Sequence, residues 1–203
     1  MTRVAVLDYG MGNLRSAEKA LEHVGARAEV TRDPDAIRAA GALVLPGVGA
    51  FPKAMGAVRA LGFAELVCER LEAGVPVLGI CLGMQLLFES SSELGGARGI
   101  GVLQGAVAAL PARGLKVPHI GWSPVSWRAE SALNAGLPHP CPFYHLHSFA
   151  PSADRDAVLG TAEYGGEFVS AVAKPPVYGV QFHPEKSGHD GLRLLANFVR
   201  AAE

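Results

Sequence analysis

Charge of either sign is scarce in this chain. Of its 203 residues, 18% are Asp, Glu, Lys or Arg, where roughly 25% is usual for globular proteins. Eighteen basic side chains against nineteen acidic leave a net charge of −1, so no charge excess points to nucleic acid or an anionic membrane. Cysteine is scarcer still. There are three, an odd number without framework spacing, which excludes a disulfide scaffold and predicts the reduced thiols of a cytoplasmic protein. Nowhere do the ~18 consecutive apolar residues of a membrane span occur. Met1-Thr2-Arg3-Val4 runs straight into a strand pattern, with no sign of a signal peptide. Internal repeats, low-complexity tracts and linkers are absent too, and the expectation is one domain over residues 1–203. What the chain does have is apolar bulk. Hydrophobic residues make up 49% of it, enough to build a core and to exclude disorder.

The first half alternates short apolar runs with helical periodicities. Arg3 to Leu7 reads as a strand, followed by the turn Asp8-Tyr9-Gly10-Met11-Gly12-Asn13 and a helix carrying Leu14, Ala17, Leu21 and Val24, stopped at Gly25. Ala28 to Thr31 is a strand, and Asp33-Pro34 reads as an N-cap with proline at the first helical position of a helix that Gly41 ends. Ala42 to Leu45 is a strand leading into Pro46-Gly47-Val48-Gly49, after which Phe51 to Leu61 and Phe63 to Ala73 read as helices. Val75 to Ile80 is the next strand, running into Cys81 and a helix over Leu82 to Glu89. Past Gly95 the texture turns to strands: Ile100–Ala108, Trp122–Trp127, Phe143–Phe149, Val158–Tyr164, Phe168–Ala173 and Val177–Phe182. Gly165-Gly166 marks a hairpin. A last helix over Asp190 to Ala201 is expected to bury Leu192, Leu195, Phe198 and Val199. The fold class this implies is α/β: a single open, mostly parallel sheet with helices on both faces and an antiparallel extension.

Cys81 stands in Gly79-Ile80-Cys81-Leu82-Gly83, the G-x-nucleophile-x-G pattern with Cys in the place of Ser. Glycines two positions away on either side let the chain turn sharply from strand to helix and present the side chain. A helix N-terminus there favours the thiolate, and the Leu82 N–H points toward an oxyanion. The plain alternative is a buried structural cysteine, which is how Cys68 and Cys141 read. A thiolate nucleophile needs a base that later acts as an acid, and His183 in Gln181-Phe182-His183-Pro184-Glu185 fits that need. Glu185 is placed to fix its tautomer. Gly47-Val48-Gly49 follows a strand and therefore lies at the same sheet edge, with glycines that let the Val48 or Gly49 N–H rotate toward an oxyanion. Gly10-Met11-Gly12 lacks the third glycine of a dinucleotide fingerprint. His145 and His147 share a strand face, and with His139 and Cys141 nearby a zinc site is conceivable. No C-x-x-C pair or H-E-x-x-H helix supports it, and the expectation is no metal and no cofactor.

Four segments together resemble one family: Asp8-Tyr9-Gly10-Met11-Gly12-Asn13, Pro46-Gly47-Val48-Gly49-Ala50-Phe51, Gly79-Ile80-Cys81-Leu82-Gly83-Met84-Gln85 and Phe182-His183-Pro184-Glu185-Lys186-Ser187. The third and fourth are similar to the nucleophile and His-x-Glu segments of class I glutamine amidotransferases. The first, the second and the Lys186-Ser187 extension are similar to one branch, the glutaminase subunits of imidazole glycerol phosphate synthase. That resemblance implies a flavodoxin-like fold in which Cys81 attacks the side-chain amide of glutamine, with the oxyanion held by Leu82 and the Val48-Gly49 peptide. It implies that Gly47, Gln85, Glu93, His147 and Ser148 bind the substrate. It further implies a heterodimer with a (β/α)₈ cyclase subunit that uses the ammonia in histidine biosynthesis, with Asn13, Trp122, Tyr144 and Lys186 near the interface. Ser123 and Phe149 depart from the branch pattern, where Asn and Tyr are common. Three alternatives are a glutaminase for another synthase, a free-standing Cys hydrolase of γ-glutamyl substrates, and a non-catalytic adaptor.

Overall fold

The structure, a computed structural model, describes residues 1–203. Its first half runs β1 (Arg3–Leu7), α1 (Leu14–His23), β2 (Arg27–Thr31), α2 (Pro34–Ala39), β3 (Ala42–Gly47), α3 (Phe51–Ala60), α4 (Phe63–Glu72), β4 (Val77–Cys81) and α5 (Leu82–Leu86). The second half is mostly strands: β5 (Phe88–Ser91), β6 (Ala97–Arg98), β7 (Leu103–Ala109), β8 (His119–Trp127), β9 (Cys141–His147), β10 (Phe149–Pro151), β11 (Val158–Glu163), β12 (Glu167–Lys174) and β13 (Val177–Val180). The helix α6 (Gly188–Arg200) closes the chain.

Nine strands form one sheet in the order β2-β1-β3-β4-β13-β12-β11-β8-β9. The first five are mutually parallel, and the rest add on antiparallel. Side chains alternate between the two faces of each strand. Val4, Val6, Val44, Leu78 and Ile80 pack toward α1 and α6, whereas Ala5, Leu7, Leu43, Leu45 and Val77 pack toward α2, α3 and α4. Both faces are covered, which is why these strands read as unbroken apolar runs. Local signals set the helix ends: the Asp33 carboxylate accepts from Asp35 N at 3.0 Å, and Gly25 takes a φ of +93° after α1.

The structure differs from the sequence reading in the middle of the chain. The helix after Cys81 ends at Leu86 instead of Glu89, because Phe88 to Ser91 leaves as β5 and pairs with β6 and β7. These strands and β10 make a second sheet of four, ordered β10-β7-β5-β6, beside the large one. The run Phe143 to Phe149 accordingly divides: β9 stays in the large sheet and β10 crosses to the small one. Burial decides this. Phe88, Leu103 and Val107 fill the core over α3 and α5, and tertiary packing of this kind overrides local helix preference. On α6, Leu192 is half-buried, while Leu194 and Asn197 join the buried set.

Neighbouring parallel strands bring the chemistry to one edge. Gly47 at the end of β3 is in register with Cys81 at the end of β4. Ile80 is in register with Val180, so Gln181, Phe182 and His183 emerge next to the cysteine.

Candidate active site

Cys81 ends β4 with φ 54° and ψ −113°, a left-handed backbone at a non-glycine residue. Such conformations cost of order 1–3 kcal/mol and persist only where the surroundings enforce them. Two glycines do the enforcing. A Cβ on Gly79 would lie 2.6 Å from the Met84 backbone, and one on Gly83 would overlap the Leu45 carbonyl. Cys81 is 4% exposed. Its sulfur lies 3.6 Å from the Leu146 carbonyl, which accepts from the thiol. The Gln181 Nε2 donates to it from 3.6 Å.

His183 follows β13, and its Nδ1 lies 2.8 Å from Glu185 Oε1, with both side chains only 4% exposed. A carboxylate only accepts, so Nδ1 carries the proton and Nε2 is the free nitrogen. That Nε2 is buried without a hydrogen-bond partner. Burial pushes the imidazole down, but the Cys81 sulfur and Glu185 outweigh it and hold the ring up at about 10. Ser187 locks the turn: its Oγ donates to the His183 carbonyl at 2.7 Å and accepts from Tyr144 N at 3.0 Å.

A cavity of about 220 Å³ opens beside the cysteine. Val48, Gly49, Leu82, Gln85, Glu93, His147 and Ser148 line it along with Cys81, as do Phe149, where the branch pattern commonly has Tyr, and Pro118 and Leu146, two residues without a sequence signal. Gly47 does not. It sits behind the wall with the Tyr9 hydroxyl where a Cβ would be, and that hydroxyl donates to the Pro46 carbonyl at 2.5 Å. Its requirement for glycine is packing. Gly49 has φ +118°, and neither its N–H nor that of Val48 donates within the chain. The Glu93 carboxylate accepts from Phe51 N at 2.8 Å. Gln85 spends its amide hydrogens on the Phe149 carbonyl and on Gln181 Oε1, both at 3.0 Å, which leaves its own oxygen to offer. The cavity thus has a sulfur, two unspent amides, a carboxylate and an amide oxygen on its wall. That set suits a small polar molecule with a carbonyl to be attacked and a cationic group to be held.

The glutamine amidotransferase class-I family model matches residues 5–202. The imidazole glycerol phosphate synthase subunit HisH of Moorella thermoacetica is 48% identical over 199 residues, covering 98% of this chain and 94% of that protein. The subunit of the same name from Aquifex aeolicus is 47% identical, covering 99% and 98%. A crystal structure described as a glutamine amidotransferase superposes with a TM-score of 0.74 at 25% identity, covering 98% of each chain. The chain belongs to the class-I glutamine amidotransferases.

Next to the amidotransferase cavity lies a group of buried imidazoles. The carbonyls of Phe143 and Phe149 accept from Nδ1 of His145 and His147, at 3.0 and 2.9 Å. Nε2 of each ring is therefore an acceptor. His145 receives Ser170 Oγ at 2.9 Å, and His147 receives His119 Nδ1 at 3.2 Å. The His119 Nε2 in turn accepts from Ser123 Oγ at 3.0 Å. The shared face of His145 and His147 is thus used for protein hydrogen bonds. The other two groups of the zinc reading lie elsewhere: His139 accepts from Trp127 N, and Cys141 is in the core, where burial above all pushes its thiol up to about 12. His119 has no periodicity to betray it. Its pairing with His147 comes from the antiparallel register of β8 on β9.

Burial pushes His147 down to about 4 and His145 well below its ordinary range. Unfolding restores both to about 6.5. The unfolded chain therefore binds more protons below that pH, and stability present above 6.5 is lost as pH falls. His147 alone contributes a loss of about 3 kcal/mol by pH 4. Calorimetry in buffers of different ionisation enthalpy should find these two rings taking up about two protons on unfolding near pH 5.

At the outer edge of β8 and β9, Ile120 and Trp122 are more than half exposed. Trp122 meets Tyr144 edge-to-face at 6.3 Å, and Lys186 Nζ lies 5.9 Å over the Tyr144 ring. Asn13, at the start of α1, is also exposed. No helix is long and apolar enough to cross a membrane.

Proposed function

We propose that the 203 residues act as one domain that hydrolyses glutamine to glutamate and ammonia, and that they do so as the glutaminase subunit of a cytoplasmic imidazole glycerol phosphate synthase. The observation that carries this reading is that Cys81, on its strained turn at a cavity of glutamine-like polarity, lies close enough to His183, itself paired with Glu185, to help hold that ring up. The Cys81 sulfur attacks the side-chain amide carbon, forming a C–S bond. The oxygen, now anionic, takes N–H donors from Leu82 and the Val48-Gly49 peptide. His183 gives the proton it received from the thiol to the amide nitrogen. The C–N bond breaks, ammonia leaves, and a glutamyl thioester remains. Water then adds to the thioester with His183 as base, releasing glutamate and restoring the thiol. Glu185 keeps Nδ1 protonated so that Nε2 does the proton transfer. Glu93 suits the substrate ammonium, with Gln85, His147 and Ser148 on the remaining polar groups.

The ammonia serves a separate (β/α)₈ cyclase subunit, which docks on the exposed face of Ile120, Trp122, Tyr144, Lys186 and Asn13. At neutral pH free ammonia is mostly ammonium and a poor nucleophile, so direct passage between subunits has a chemical reason. The test is the glutaminase rate of the chain alone, with the cyclase, and with the cyclase and its nucleotide ligand. A low basal rate that rises by orders of magnitude in the full complex is expected. Full activity of the isolated chain would instead identify a free-standing hydrolase.

A further inference from the structure

The triad leaves two contacts to the nucleophile without a role, the Leu146 carbonyl that accepts from the thiol and the Gln181 amide that donates to the sulfur. Gln181 is fully buried, stands two residues before His183, and has its main chain fixed by donation from its N–H to the Ser170 carbonyl at 2.8 Å. Its carboxamide bridges Gln85 and the Cys81 sulfur. We infer that Gln181 belongs to the catalytic machinery, its amide N–H holding the Cys81 sulfur in an orientation that buried acceptors dictate. The inference rests on the glutaminase reading above.

The orientation follows from a chain of forced choices. The Phe149 carbonyl only accepts, so Gln85 must turn its NH₂ toward it. The same NH₂ then meets Gln181, which must answer with its oxygen. Gln181 is left to present its own NH₂ to the sulfur. His147 reinforces the first step by donating from Nδ1 to the same Phe149 carbonyl. Reversing Gln181 would set NH₂ against NH₂ at Gln85 and a carbonyl oxygen against sulfur, between side chains that are both buried.

An N–H donor on sulfur favours the anion over the thiol. That matters twice in the reaction. It holds the thiolate ready for attack, and it stabilises the same sulfur when the thioester collapses and expels it, since a better-stabilised thiolate leaves faster. A thioester sulfur accepts hydrogen bonds poorly, so the contact works at both ends of the cycle and little in between. The other groups that face the sulfur are the Leu146 carbonyl, which accepts from the thiol, His183 with Glu185 behind it, Tyr9 from the loop after β1, and His147 and Glu93 across the cavity. None of these supplies an uncharged N–H to it.

The experiment compares Gln181→Met, which keeps the volume, and Gln181→Glu, which keeps the shape. The pH at which iodoacetamide alkylates Cys81 half-maximally is read by peptide mass spectrometry on the full chain, with thermal unfolding of the same samples. The half-maximal pH should rise by about one unit in the Met variant and further in the Glu variant. Glutamine turnover in the cyclase complex should fall about tenfold, with the Cys81 glutamyl adduct accumulating. A purely structural role lowers the unfolding midpoint and leaves the alkylation profile alone. A folded Met variant with an unmoved profile overturns the inference. If that variant does not fold, the Glu variant decides by the same criterion. Alkylation needs no glutamine, so the two readings fail separately. A wild-type complex inert toward glutamine overturns the glutaminase reading, whereas normal turnover with an unmoved profile overturns this one.

Discussion

Cys81→Ala should remove glutamine hydrolysis while leaving the cyclase partner's use of supplied ammonium intact. The sulfur forms and breaks the bond to the substrate, and nothing else on the cavity wall can replace it: the wall otherwise offers amides, a carboxylate, an imidazole whose nitrogens are both engaged, and the Ser148 hydroxyl. Ser148 lies on the segment between β9 and β10, away from the Gly79-to-Gly83 turn that sharpens the nucleophile. A fall of at least ~10³-fold in glutamine-dependent turnover is the expected scale for losing a covalent nucleophile. The fold should survive, because alanine removes one buried atom and keeps the backbone geometry. A coupled assay run side by side with glutamine and with ammonium separates the two activities. Glutamine turnover persisting in the alanine variant would refute the thioester mechanism.

Gly83→Ala should be the more destructive change, although it adds a single methyl group. A Cβ there would overlap the Leu45 carbonyl of β3, and the overlapped atom is backbone in the middle of the parallel sheet, with no flexible side chain to swing away. Relief requires α5 to move off β3, which pulls Leu82 and Met84 out of the core they share with Leu43 and Leu45. A loss of more than ~4 kcal/mol is expected from backbone overpacking of this kind, a large share of the usual 5–15 kcal/mol of a domain. Soluble yield and urea unfolding measure it. A variant that folds with normal stability and full activity would show that the strand–helix junction has slack. As a comparison, alanine at Gly56 meets nothing within 4 Å and should be neutral or slightly stabilising.

The parallel half of the fold was legible because each signal there is local. Asp33-Pro34, Gly25 and the apolar runs of β1, β3 and β4 state their structure within a few residues, and the G-x-Cys-x-G turn states its own geometry. The second sheet was not legible in the same way. Phe88 to Ser91 continues a helical pattern, and only pairing with β7 and burial of Phe88 turn it into a strand. The same holds within the site. Cys81, His183 and Glu185 announce themselves by residue type and motif. His119 and Gln181 matter through neighbours more than twenty-five positions away, and no window of sequence shows which strand will lie alongside. Gly47 shows the reach of neighbours in another way. Its motif neighbours reach the cavity, but the Tyr9 ring takes the space on its own side.

The three imidazoles grouped beside the cavity also bear on the charge that a substrate meets there. Each has its basicity suppressed by burial, so near neutrality they are uncharged and have no surplus hydrogen ion to give. On the His147 side the cavity wall therefore sets no positive charge against a cationic group beside Glu93.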